Sequence, residues 1–136
     1  MLNTENRTPE NIMLQGESMS TPFETKEENL HHEGVSDVDP KEVSKKLKQV
    51  YLVDVRQPEE FQGELGHIPG ARLIPLDSLS EKMDEIPKDK TVVFVCRSGG
   101  RSAKATAYAL SQGYKDVYNL KGGMLLWNDL HLPTEI

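Results

Sequence analysis

The chain has a single cysteine, Cys96, in 136 residues, so an internal disulfide is excluded. That economy suits a reducing compartment such as the cytoplasm. No C-x-x-C pair occurs, and the four histidines, His31, His32, His67 and His131, show no H-x-x-x-H spacing. No structural metal site is expected. There is no run of about 18 apolar residues, so neither a membrane-spanning helix nor a membrane partner is expected. The first stretch, "MLNTENRTPENIMLQGESMS", lacks the basic start and apolar centre of a secretory signal. Basic residues are not in excess: the net charge is −6. A basic nucleic-acid footprint is therefore missing, and no nucleic-acid partner is expected.

The acidity is unevenly placed. Residues 1–39 hold nine acids against two bases, whereas residues 40–136 hold thirteen acids and fourteen bases. Residues 1–33 are polar and without sustained periodicity, and are read as a flexible acidic tail. Residues 34–136 are read as one folded domain.

Within that domain strands and helices alternate. Val35 and Val38 suggest a first short strand. "DPKE" then starts a helix, with Asp39 as N-cap, Pro40 at the first helical position and Glu42 three residues after the cap. "VYLVDV" (50–55) is a β-branched strand, "RQPEEF" a helical turn, "GHIPGA" a loop and "ARLIP" a short strand. Leu76, Leu79, Met83 and Ile86 follow one helical face, with Pro87 just beyond. "TVVFV" (91–95) is a continuous apolar run, the mark of a strand buried on both faces. "RSAKATAYALSQG" reads as a helix stopped by Gly113, "DVYNL" as a last strand and "GGMLLWNDLHL" as a last helix. The pattern predicts an α/β domain with a mainly parallel central sheet flanked by helices on both faces.

Cys96 follows the most apolar strand directly, in "CRSGGRS" (96–102). Ligands of such sheets bind beyond the carboxyl ends of strands. The loop leads into a helix, whose first N–H groups lack intrahelical acceptors and face any anion placed there. Gly99 and Gly100 allow successive N–H groups to curl inward as a nest. Arg97 and Arg101 add positive charge, although Arg101 can alternatively point inward as a brace. Such surroundings favour a thiolate, the nucleophilic form of the side chain. The plain alternative is an inert, buried cysteine at a strand end. A Walker phosphate loop is a poorer competitor, because "GGRS" has neither its lysine nor its glycine spacing.

"CRSGGRS" behind an apolar strand resembles the active-site loop of the rhodanese family. "DVRQPEEF" and "GHIPGA" resemble that family's two upstream signatures, and "KGGMLLW" its C-terminal one. All four stand in the family's order, over about residues 35–132. One departure is a longer spacer between Phe61 and Gly66. The resemblance implies a rhodanese-like fold and a single-domain sulfurtransferase that needs no metal or organic cofactor. Cys96 would take the outer sulfur of a small donor such as thiosulfate as a persulfide. Cyanide or a thiol, on a small molecule or a protein, would then collect it. The backbone of Arg97, Ser98, Gly99, Gly100 and Arg101 would cradle the sulfur and the departing anion.

Asp54, Arg56 and Ser102 are expected in supporting positions, the first two orienting loops by charge-assisted hydrogen bonds. Glu59 and Glu60 are expected in solvent or paired with an arginine. His67 is read as a loop histidine bonded to backbone rather than a general base. Two other functions compete. Cysteine phosphatases and arsenate reductases use a C-x5-R loop, whereas Cys96 and Arg101 give C-x4-R. A second cysteine to resolve a disulfide is also missing. A non-catalytic sulfur carrier or interaction module is the other alternative, to be told apart by its donor.

Overall fold

The run Val92–Val95 (β5) lies inside a six-stranded sheet and is wholly buried. A computed structural model describes residues 23–136. The other strands are Glu27–Glu28 (β1), Ser36–Val38 (β2), Tyr51–Asp54 (β3), Arg72–Leu73 (β4) and Val117–Leu120 (β6). Their order across the sheet is β1-β2-β6-β5-β3-β4. Among the described strands only β1 runs antiparallel to its neighbour; their remaining pairings are parallel. The helices are Pro40–Lys45 (α1), Pro58–Phe61 (α2), Leu79–Lys82 (α3), Gly100–Ser111 (α4) and Gly123–Asp129 (α5).

Side chains of β5 alternate between two separate cores, as the period of a strand requires. Val92 and Phe94 join Leu79, Met83, Ile86, Ala105 and Ala109 on the face covered by α3 and α4. Val93 and Val95 join Val43, Met124 and Trp127 on the face covered by α1 and α5. The expected α/β architecture, with helices on both faces, is thus observed. The strand ends that lead into α2, α4 and α5 all lie at the carboxyl edge of the sheet, and Asp54 pairs in register with Val95 there.

Three expectations need correction. Residues 23–33 are not a free tail. Phe23 is buried and meets Tyr118 edge-on at 5.3 Å, and β1 pairs with β2. Hydrophobic burial and a two-residue ladder hold a segment whose composition alone reads as solvated. The rest of the expected tail, residues 1–22, lies outside the described residues. The helix expected over 76–86 is broken into a 3-10 turn at Leu76–Ser78, the single turn α3 and a second 3-10 turn at Met83–Glu85. The Tyr114 hydroxyl lies 2.8 and 2.6 Å from the carbonyl oxygens of Met83 and Ile86 and ties the end of this segment to the chain beyond α4. Finally, Asp39 caps α1 through the Lys41 N–H, but Glu42 does not complete a reciprocal box. Its carboxylate instead accepts from the backbone of Glu24 and Thr25.

Candidate active site

Cys96 is 1% exposed and belongs to the core on the α3/α4 face. Its sulfur is nonetheless polar in its contacts. The Gly99 N–H donates to Sγ at 3.1 Å, and the Ser102 Oγ lies 3.2 Å away. A buried cysteine and a hydrogen-bonded one, which the sequence set against each other, are here the same residue. Gly99 is the N-cap of α4 and has φ +108°, a left-handed conformation that turns its N–H back onto the sulfur. The following N–H groups, of Gly100, Arg101 and Ser102, form the first turn of α4 and have no intrahelical acceptor. Arg97, Ser98 and Gly100 are exposed.

The carbonyls of this loop are turned the other way. Met124 N–H donates to the Cys96 carbonyl at 2.9 Å, and Leu125 N–H to that of Arg97 at 3.0 Å. These donors are the free first-turn amides of α5. Gly123 (φ +58°) lets the two backbones meet: a Cβ there would lie 2.5 Å from the carbonyl atoms of Arg97 and Cys96. The segment "KGGM" is therefore the floor of the cysteine loop. No role for it was legible beyond the resemblance, because its contact is with backbone 26 positions upstream.

The two arginines of the loop diverge. Arg101 forms a two-pronged ion pair with Glu60, both contacts at 2.8 Å. It is thus the brace that the sequence allowed, and its guanidinium is taken. The hydrogen bond from Arg101 holds the Glu60 carboxyl down at about 2, against the opposing effect of its partial burial. Reciprocally, Glu60 raises Arg101 above its ordinary value. Arg97 lines a cavity of about 320 Å³ with Arg56, Glu60, Gly63, Glu64 and Leu65. The longer spacer after Phe61 supplies three of those walls. On the other side of the loop, Ser98, Gly99 and Gly100 border a smaller hollow of about 180 Å³ with His31, His32 and Asn119.

Asp54 and Arg56 are both buried and paired, with Nη2 2.8 Å from Oδ2 and Nε 2.9 Å from Oδ1. Arg56 also donates to the carbonyls of Gly66 and Glu60, so the pair ties β3 to α2 and to the loop after it. His67 stacks on Phe61 at 3.7 Å and its Nδ1 lies 2.9 Å from the Phe61 carbonyl, so that nitrogen carries the proton. It is a loop histidine bonded to backbone. Among the described residues no group of His, Cys, Asp and Glu could hold a metal ion, and no helix is long and apolar enough to cross a membrane.

The rhodanese-like domain model matches residues 39–130. The chain belongs to the rhodanese-like family. It is 43% identical over 102 residues to a sulfurtransferase of Allochromatium vinosum, covering 73% of this chain and 94% of that one. It is 33% identical to the thiosulfate sulfurtransferase GlpE of Vibrio cholerae, over 73% of this chain and 92% of the relative. A solved rhodanese-like domain protein from Staphylococcus aureus superposes with a TM-score of 0.64 at 35% identity, over 74% of this chain and 98% of that structure.

Asn119 was missed by the sequence reading. It is 2% exposed, and its Oδ1 lies 2.5 Å from the Ser102 Oγ. Its only trace in the sequence is a polar residue inside the last buried strand, "VYNL".

Proposed function

We propose that this rhodanese-like chain is a sulfurtransferase that carries sulfane sulfur as a persulfide on Cys96, with thiosulfate as a competent donor. The Cys96 thiolate attacks the outer sulfur of thiosulfate. The donor's S–S bond breaks, and sulfite leaves with the bonding pair, so the negative charge passes to the new persulfide. Cyanide or a thiol then attacks the outer sulfur and returns Cys96 to thiolate.

The observation that carries this reading is the division of the loop's backbone. Its carbonyls at Cys96 and Arg97 are bonded to α5, while the Gly99 N–H meets the sulfur. A backbone donor thus faces the sulfur and these two acceptors face away, the polarity that a thiolate or a persulfide requires. The cradle is made of backbone from Arg97 to Arg101. Ser102 supports the sulfur, and Asp54 and Arg56 support the loops. A single, unpaired thiol of this kind suits a reducing cytoplasm. The tetrahedral-anion chemistry of a phosphatase is disfavoured because Arg101, whose guanidinium would clamp that anion, is engaged by Glu60.

The burial of Cys96 favours one second reading, a carrier loaded by a partner protein that opens the loop. Mass spectrometry after incubation with thiosulfate tests both. Wild type should gain one sulfur atom, released by cyanide, and Cys96→Ser should gain none. A wild type that remains unmodified by small donors yet loads from a desulfurase would replace the enzyme reading by the carrier one.

A further inference from the structure

A chain of polar groups, buried at Cys96, Ser102 and Asn119 and half-buried at Asp37 and Asn29, runs from the sulfur to the N-terminal segment. Cys96 Sγ is 3.2 Å from Ser102 Oγ, which is 2.5 Å from Asn119 Oδ1. Asn119 Nδ2 is 2.9 Å from Asp37 Oδ1, and Asn29 Nδ2 donates to the same oxygen at 2.9 Å. Ser102 and Asn119 are nearly inaccessible to water.

The proton count fixes the directions. A carboxylate only accepts, so Asp37 must face the NH₂ of Asn119. The Asn119 oxygen is thereby turned to Ser102 and can only accept. Ser102 has one proton and two candidate acceptors, Asn119 Oδ1 and the sulfur. While Cys96 is a thiol, its S–H donates to Ser102 and Ser102 donates to Asn119, and every group is satisfied. Once the sulfur is anionic it can only accept. Ser102 then faces a choice: it keeps Asn119 and turns a lone pair on the anion, or it turns to the sulfur and leaves a buried carbonyl bare.

We propose that Asp37 and Asn119 are positioning residues that hold the Ser102 proton away from the Cys96 sulfur and so restrain its conversion to the nucleophilic anion. Ionisation breaks the S–H bond, releases the proton to solvent and requires the Ser102 O–H to exchange its Asn119 acceptor for sulfur. Ser102 favours the anion and Asn119 opposes it, through one hydrogen. The other charged or titratable groups at this end of the sheet are His31 and His32 beside Asp37 and Asn119, the Asp54–Arg56 pair from β3, Glu60 of α2 with Arg101 of α4, exposed Arg97, and Lys121 after β6 paired with Glu27. None of them changes in the variants below. The inference rests on Cys96 being the reacting group, but it is read without any sulfur transfer.

The test is the rate of Cys96 alkylation by iodoacetamide at near-neutral pH in the full chain, with ultraviolet thiolate absorbance alongside. Ser102→Ala should slow alkylation, but by less than the roughly tenfold scale of a hydrogen bond to a charged group, because wild-type Ser102 gives up Asn119 to make that bond. Asn119→Leu should do the opposite and speed it at least about threefold. In the Ser102→Ala background, Asn119→Leu should then do nothing. A slower reaction in Asn119→Leu, or an acceleration that survives without Ser102, would overturn the proposal.

Should Asn119→Leu fail to fold, half-buried Asp37 gives the same test. Asp37→Ala, which frees the Asn119 amide to turn over, should speed alkylation more than Asp37→Asn, which removes the charge but keeps an oxygen acceptor. Equal acceleration in both would assign the effect to charge alone and overturn the relay. Because alkylation needs no sulfur donor, a failure of persulfide formation would leave this result standing, and the reverse holds too.

Discussion

Gly123 and the Arg97 carbonyl are so close that a Cβ on Gly123 would stand 2.5 Å from it. The cysteine loop thus rests on a residue without a side chain, and its backbone is bonded to the first turn of α5. Gly123→Ala meets both this backbone clash and a positive φ. The cost of such a conformation in a non-glycine residue is about 1–3 kcal/mol before the clash is counted. We expect a lower unfolding midpoint in denaturant together with loss of persulfide formation.

The Arg56–Asp54 pair is buried on both sides. Removing one partner leaves the other charged and unsolvated, which costs about 3–5 kcal/mol. Arg56→Ala should therefore destabilise the domain by that order in equilibrium urea unfolding. Arg56→Lys should restore little of it, since one ammonium cannot serve the carboxylate and the carbonyls of Gly66 and Glu60 with the same geometry. An effect below about 1 kcal/mol would show that water enters the pair.

Glu60 and Arg101 give a pH signature. The folded-state value for Glu60 is about 2, below its ordinary 4.5. A depressed carboxyl contributes stability that is present above its ordinary value and is lost as pH falls through the folded one. Wild type should therefore exceed Glu60→Gln in stability at pH 7, by about 1 kcal/mol for a partly exposed two-pronged pair. The gap should close between pH 4.5 and about 2. Thermal unfolding of both proteins across that window measures it, and a gap that persists at the acid end would assign the effect to packing instead.

Phe23 measures how far the N-terminal segment belongs to the domain. It is 5% exposed and packs against Tyr118. Phe23→Ala should lower stability by about 3 kcal/mol, the usual cost of truncating a buried phenylalanine. It should also raise the hydrogen-exchange rates of β1 amides. Unchanged exchange would show that β1 is held by its ladder without the aromatic anchor.

Much of the fold was legible because its signals are local. Four β-branched or aromatic residues in a row at Val92–Val95 can be buried on both faces only in a covered sheet, and Gly113, with φ +93°, ends α4 where its type suggests. The helix expected over 76–86 is broken without a local mark in its periodicity, and its last turn is tied down from about 30 positions away, where the Tyr114 hydroxyl reaches the carbonyls of Met83 and Ile86. Residues 23–33 failed similarly, since one aromatic and a two-residue ladder leave no periodic pattern to read.

By itself the sequence determined the alternation of strands and helices, the place of Cys96 at a strand end, and the glycines and amides that surround it. These follow from side-chain periodicity and from backbone permissiveness, which act within a few residues. Only the tertiary structure decided which groups meet. It gave Arg101 to Glu60 rather than to the cavity, set the loop carbonyls on α5, and put Asn119 and Asp37 behind Ser102. Those pairings join residues up to 82 positions apart. Hydrogen-bond directions among buried groups depend on such contacts, because each donor has to find an acceptor that only the folded chain brings near.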